Sequence, residues 1–287
     1  MHATEQIRRA LLAHTQCRSS GTIEEAGMLA TEQGELFSVL VRPSNGTPSR
    51  IGIVVCHSWF ELRMLQRTEF DLLRAAAAVG FPGRYVQAPG AGDSAGAVTS
   101  CTIAARVAAA LSAAEQLRRD VPELDEVAFV GARLGGAIAV LAGAQEGRNA
   151  PVILWDPCFS SGDYWRQSKR FARVVAALGR QRVEDVDPIL ARGEEAFLVG
   201  YRVTPELRRD LAEIDRVASV GRVSRAALVI GLNDGSLAPQ RREVLRLAEQ
   251  VDGHRLGPPK ARNLIRLRIE DAQRAVDPSV SWLQGLV

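Results

Sequence analysis

Short runs that are apolar at every position recur along this chain, and stretches with helical spacing follow them. Ile51 to Cys56 is such a run, ending at His57, and Glu69 to Val79 then carries helical spacing until Gly80 stops it. Arg84 to Ala88 leads through a glycine-rich loop to a helix near Thr99 to Arg119. Glu126 to Val130 leads through Gly131 into a helix reaching about Gln145, and Val152 to Asp156 follows. A strand apolar on both faces must be covered on both faces. Strands of this kind alternating with helices therefore predict an α/β fold with a mostly parallel central sheet flanked by helices.

The ends and the middle of the chain depart from that alternation. Residues 4 to 14 predict a short amphipathic helix, and Gly34 separates two candidate strands, Gly27 to Thr31 and Glu35 to Val41, that read as an antiparallel lead into the sheet. From Ser160 to about Arg222 the pattern gives way to charged, Arg-rich helical segments carrying Trp165, Phe171, Phe197 and Tyr201. These predict a helical lid, residues 160–222, inserted into a single domain spanning 1–287. The core pattern resumes with a strand at Ala226 to Leu232 and a helix from Pro239 to Val251. A strand at Leu264 to Ile269 follows the Gly257-Pro258-Pro259 loop, and a closing helix lies near Val276 to Leu286. A chain of 287 residues that is 46% hydrophobic suits one such domain with a large core.

Charge and cysteine usage exclude several classes of function. Lys and Arg number 36 against 33 Asp and Glu, and the net charge of +3 is spread along the chain, too weak a basic balance for nucleic acid. Cys17, Cys56, Cys101 and Cys158 form no C-x-x-C pair and sit mostly in apolar surroundings, as reduced buried thiols do, which predicts a cytoplasmic protein. Ala10 to Ala13 is too short for the apolar core of a signal peptide, and no stretch approaches a membrane span. Gly131 to Gly136 lacks the spacing of a dinucleotide fingerprint, so neither a cofactor nor a metal is expected.

The most informative segment is Val127-Ala128-Phe129-Val130-Gly131-Ala132-Arg133-Leu134-Gly135-Gly136, an apolar strand running into a small-residue turn and a helix. It resembles the nucleophile elbow of the α/β-hydrolase superfamily, written G-x-S-x-G, in which flanking glycines let strand and helix pass closely around a strained central residue. Gly131 and Gly135 match, but the centre is Arg133, whose guanidinium stays protonated and cannot attack a carbonyl. Other segments agree in order. Val54-Val55-Cys56-His57 resembles the approach to the oxyanion loop, and Ala88 to Gly96 resembles the loop after the fourth strand, with Ala88 where the family has Asp. Val229 to Gly235 resembles the strand and loop that deliver the triad acid, which places Asp234 in that role. The triad histidine should follow the last strand, yet Ile269 to Gln273 contains none, and His254 falls before that strand.

Within the superfamily, residues 30 to 285 resemble the hydrolase-like proteins associated with exosortase A systems, in particular the second of two types. The resemblance is carried by the His57-Ser58-Trp59-Phe60-Glu61 loop, the Gly131-Ala132-Arg133 elbow and the Leu154-Trp155-Asp156-Pro157 strand end, although Ser58 stands where proline is common. Arg133 at the start of a helix, where unpaired amides already favour an anion, predicts either a carboxylate or phosphate site or an internal ion pair with Asp234 or Asp156. The candidate catalytic set is Arg133, His57, Asp234 and Glu61. A ligand would meet Arg133, His57, Trp59, Leu134, Asp156 and Trp165 between elbow and lid. The expected partner is a small molecule, anionic or acyl-bearing, with a homodimer or a pathway protein as further possibilities. His57 and Glu61 form either an acid–base pair or a loop-shaping contact. Asp93 and Ser94 predict turn-stabilising hydrogen bonds, and Cys158 reads as a small buried residue more readily than as an alternative nucleophile.

Overall fold

The computed structural model describes residues 16–19, 21–59, 62–146, 150–180, 184–198, 200–220, 224–231, 248–255 and 274–287. Among these, nine strands form one sheet: β1 (Gln16–Ser19), β2 (Thr22–Thr31), β3 (Gly34–Pro43), β4 (Ile51–Cys56), β5 (Gly83–Val86), β6 (Glu126–Ala132), β7 (Val152–Trp155), β10 (Ser224–Gly231) and β11 (Ala248–Arg255). Their order is β1-β2-β3-β5-β4-β6-β7-β10-β11. β2 pairs antiparallel with both β1 and β3, β3 pairs antiparallel with β5, and from β5 to β11 every pairing is parallel. The crossing of β5 outside β4 puts the C-terminal ends of β4, β6, β7 and β10 side by side.

The sheet lies between two helical layers, and this explains why its strands are apolar at every position. Val54 and Cys56 of β4 and Phe129 of β6 face the layer containing α2 (Ile103–Asp120) and α3 (Leu134–Glu146). Ile53 and Val55 of β4, with Ala128 and Val130 of β6, face the layer containing α1 (Leu62–Ala78) and α7 (Val276–Gln284). Strand side chains alternate between faces, so two covered faces demand two apolar sets. Helix α3 is buried from Leu134 through Gly143, because the inserted segment covers its outer side as well.

That insertion, between β7 and β10, comprises α4 (Ser161–Leu178), α5 (Val186–Ala191), a hairpin of β8 (Ala196–Leu198) and β9 (Tyr201–Val203), α6 (Pro205–Asp210) and a 3₁₀ helix at Leu211–Ser219. The hairpin corrects the all-helical expectation: Phe197 and Tyr201 stand on strands, with Gly200 at φ 81 in the turn that joins them. A second correction concerns residues 248–251, expected to end a helix. They begin β11 and pair in register with β10, where an edge strand needs apolar cover only at scattered positions such as Val251. His254 lies on this strand, opposite Ile230. The expected helix over 4–14 and strand over 264–269 fall outside the described residues. Other boundaries moved modestly. β2 begins at Thr22, α1 begins at Leu62, and Thr102 caps α2 by accepting from the Ala105 N–H at 3.1 Å, which splits the expected helix into Val98–Ser100 and α2.

Candidate active site

Strand β6 ends at Ala132 and α3 begins at Leu134, so the whole reversal falls on Arg133, with φ at 53°. A non-glycine residue held there stores about 1–3 kcal/mol of backbone strain. The neighbours make the turn possible. A Cβ on Gly131 would come within 2.0 Å of the Gly135 carbonyl oxygen, and one on Gly135 within 2.1 Å of the Cys56 oxygen. The Arg133 amide donates to the Trp155 carbonyl at 3.0 Å, and its own carbonyl accepts from Gly136 at 3.1 Å and Cys158 at 3.0 Å. The end of β7 mirrors it: Asp156 has φ 44° and donates its amide to Ile230 at 2.7 Å.

The two strained residues are joined through their side chains. Arg133 Nη1 donates to Asp156 Oδ2 at 2.9 Å and to the Asp156 carbonyl at 3.1 Å, and Nη2 donates to Gln167 Oε1 of α4. The Arg133 and Asp156 side chains are only 5% and 3% exposed. The guanidinium therefore ties the β6 end, the β7 end and the insertion together.

A second arrangement lies beyond the β4 end. His57 Nδ1 sits 2.8 Å from Glu69 Oε2, both groups buried, and no hydrogen bond of good geometry joins them. The imidazole packs edge-on against Tyr85 with ring centroids 4.1 Å apart. Burial first, then the Glu69 charge, pushes the Tyr85 phenol up, and the same two causes push the Cys56 thiol up, which keeps Cys56 a protonated, inert core residue. His57, Ser58 and Trp59 form one wall of a pocket of about 120 Å³, completed by the loop after β5, Cys101, Arg106 and Tyr201. Ser94 fixes that loop by accepting from the Phe37 amide at 2.9 Å and donating to the Gln87 carbonyl at 2.9 Å.

Solved structures of low sequence identity share this architecture. Est1E from Butyrivibrio proteoclasticus, solved with ferulic acid bound, aligns with a TM-score of 0.63 at 14% identity over 89% of this chain and 100% of its own. Alpha/beta hydrolase domain-containing protein 10 from mouse gives 0.59 at 15% identity over 92% and 100%. The fold is that of the α/β hydrolases. A hyperthermophilic esterase from the archaeon Pyrobaculum calidifontis aligns over 99% of this chain and 93% of its own, with a TM-score of 0.57 and 14% identity. No family model matches the sequence. No curated protein matches it significantly either.

The β6–α3 turn, which the sequence reading takes for the elbow, has Arg133 at its tip. Of the six residues expected to meet a ligand, His57 and Trp59 line the pocket. Leu134 is fully buried at the start of α3, Arg133 and Asp156 bond to each other, and Trp165 donates to Asp187 at 2.7 Å while Arg208 covers its ring at 4.7 Å. Trp155 packs on the opposite face of the sheet, where its indole donates to Ser279 at 3.0 Å. Cys158 is buried. Glu61 and Asp234 lie outside the described residues, and the carboxylate at His57 is Glu69. Sequence reasoning missed Glu69, Gln167 and Arg106. Two of these carried a signal: Glu69 heads the stripe Leu72, Leu73, Ala76, and Arg106 sits among Ile103, Val107 and Ala110, each a charge on an apolar helix face.

Proposed function

We propose that this α/β-hydrolase-fold protein binds a small anionic or acyl-bearing molecule beside the oxyanion loop and carries out no serine-based acyl transfer at its elbow. One observation carries the reading: the elbow residue is a permanently charged arginine locked onto Asp156 and Gln167. It offers no nucleophile. The sequence after β11 supplies no histidine either, since the four histidines are His2, His14, His57 and His254. At a finer level we read the chain as similar to the second exosortase A-associated type, on its G-x-R elbow, and the 160–222 insertion as a lid. Among the described residues no helix is long and apolar enough to cross a membrane. The buried thiols of Cys56, Cys101 and Cys158 suit a reducing compartment, which supports a cytoplasmic location. Purified protein should neither turn over p-nitrophenyl esters nor take up a fluorophosphonate, and turnover together with a labelled serine would overturn the proposal.

The His57–Glu69 contact favours a second reading, acid–base chemistry in the same pocket without a covalent intermediate. There His57 would move a proton and Glu69 would position the ring. Replacing His57 with Asn should then abolish any turnover found, while Glu69→Gln should shift its pH profile.

A further inference from the structure

Arg106 is 5% exposed, yet it forms no ion pair among the described residues. Its Nη2 donates to Cys101 Sγ at 2.9 Å, a weak acceptor, and its Nε has no hydrogen-bond partner. A guanidinium carries five N–H donors and stays charged, so this one is buried with its Nε unsatisfied and only a sulfur as its acceptor among the described residues. The carboxylate nearest in effect is Asp210, which is occupied in accepting the Ile103 amide at 2.6 Å and does not pair with Arg106. A buried cation without an anion is unfavourable unless something completes it.

Arg106 also lines the pocket shared by His57, Trp59 and Cys101, and its guanidinium lies over the Trp59 ring at 5.7 Å. Stacking on an aromatic face holds the plane of the guanidinium and leaves its edge to a bidentate acceptor. An apolar cavity of roughly 150 Å³ holds a benzene-sized molecule, so this one, at about 120 Å³, takes an acid of about four to six heavy atoms. The geometry points to a binding site for a small aliphatic carboxylate, with Arg106 as its counter-charge, Trp59 as its apolar wall and His57 as a second polar contact. This rests on the ligand-binding half of the function proposed above and moves the anion from Arg133, which has a carboxylate, to Arg106, which has none among the described residues.

Calorimetric titration of the full chain with propionate, butyrate and the neutral isostere propionamide tests the assignment. The acids should bind at one saturable site at least tenfold more tightly than the amide. Arg106→Leu should weaken the acids at least tenfold and leave the amide unchanged, and Ala91→Leu, which fills the pocket while keeping the cation, should weaken all three. If Arg106→Leu does not fold, the acid-to-amide ratio and Ala91→Leu decide. Equal binding of acid and amide, acid affinity surviving either variant, or no acid binding would each overturn the site. A serine labelled by fluorophosphonate would remove the elbow reading and leave this result standing, so the two fail separately.

Discussion

Two buried arginines border the C-terminal edge of the sheet, and they are buried on opposite terms. Arg133 satisfies its charge within the chain, through Asp156 and Gln167, at the meeting of two strained strand ends. Arg106 is as deeply buried, stacks on Trp59 and opens onto a pocket with a sulfur atom as its hydrogen-bond acceptor. A paired internal cation holds structure together, whereas an unsatisfied one facing a pocket awaits a partner from outside. On the proposal made above, the difference puts structure at the β6–α3 turn and recognition beside the loop after β4.

The sharpest way to break this contrast is to unpair Arg133. Asp156→Ala should cost about 3–5 kcal/mol in urea unfolding, because it strands a buried charge and also puts Ala at positive φ. Asp156→Asn should cost less, since Asn tolerates that backbone. Arg133→Ser restores the letters of a serine elbow and should cost about 2–3 kcal/mol, less than the Asp change, because Asp156 can take up a proton when left alone. That variant should gain no esterase activity, and measurable p-nitrophenyl acetate turnover would show that a base stands ready at the elbow.

On the pocket side the charges act on titration. The Cys56 thiol is pushed up in the folded protein, by burial first and by Glu69 second, so the folded state holds its proton longer than the unfolded chain. Its contribution is fully present below the unfolded thiol value of about 8.5 and is lost as pH rises above it, at about 1.4 kcal/mol per pH unit. Unfolding measured from pH 8 to 10 should show that slope, and Cys56→Ala should flatten it. Smallest of all, Arg106→Leu should change the stability of the ligand-free protein by no more than about 1 kcal/mol in either direction, since it removes an uncompensated charge. A loss near that of Asp156→Ala would place Arg106 in the structural class and erase the distinction.

Much of the site was written locally. The glycines at 131 and 135 and the arginine between them are enough to predict a tight strand-to-helix turn with a cation at its tip, because the close backbone approach admits nothing larger. The turn role of Ser94 was likewise readable, since its bonds run to nearby backbone and to the adjoining strand. The closeness of Glu69 to His57 was not: the two lie twelve residues apart, and it is α1 that packs the Glu69 carboxylate against the ring. The insertion's hairpin was also hidden, because three-residue strands give too short a pattern to separate from a helix.

By itself, the sequence determined the layered fold and the chemical identity of the elbow, since apolar runs, glycine spacing and an unremovable charge are properties of consecutive residues. Only the tertiary structure decided which charges meet. Arg133 finds Asp156 because β6 and β7 are neighbours, and Arg106 meets no carboxylate among the described residues because α2 delivers it to a pocket beside Trp59. Pairing is a matter of distance in space, and the sheet order that sets those distances brings together residues that lie far apart along the chain.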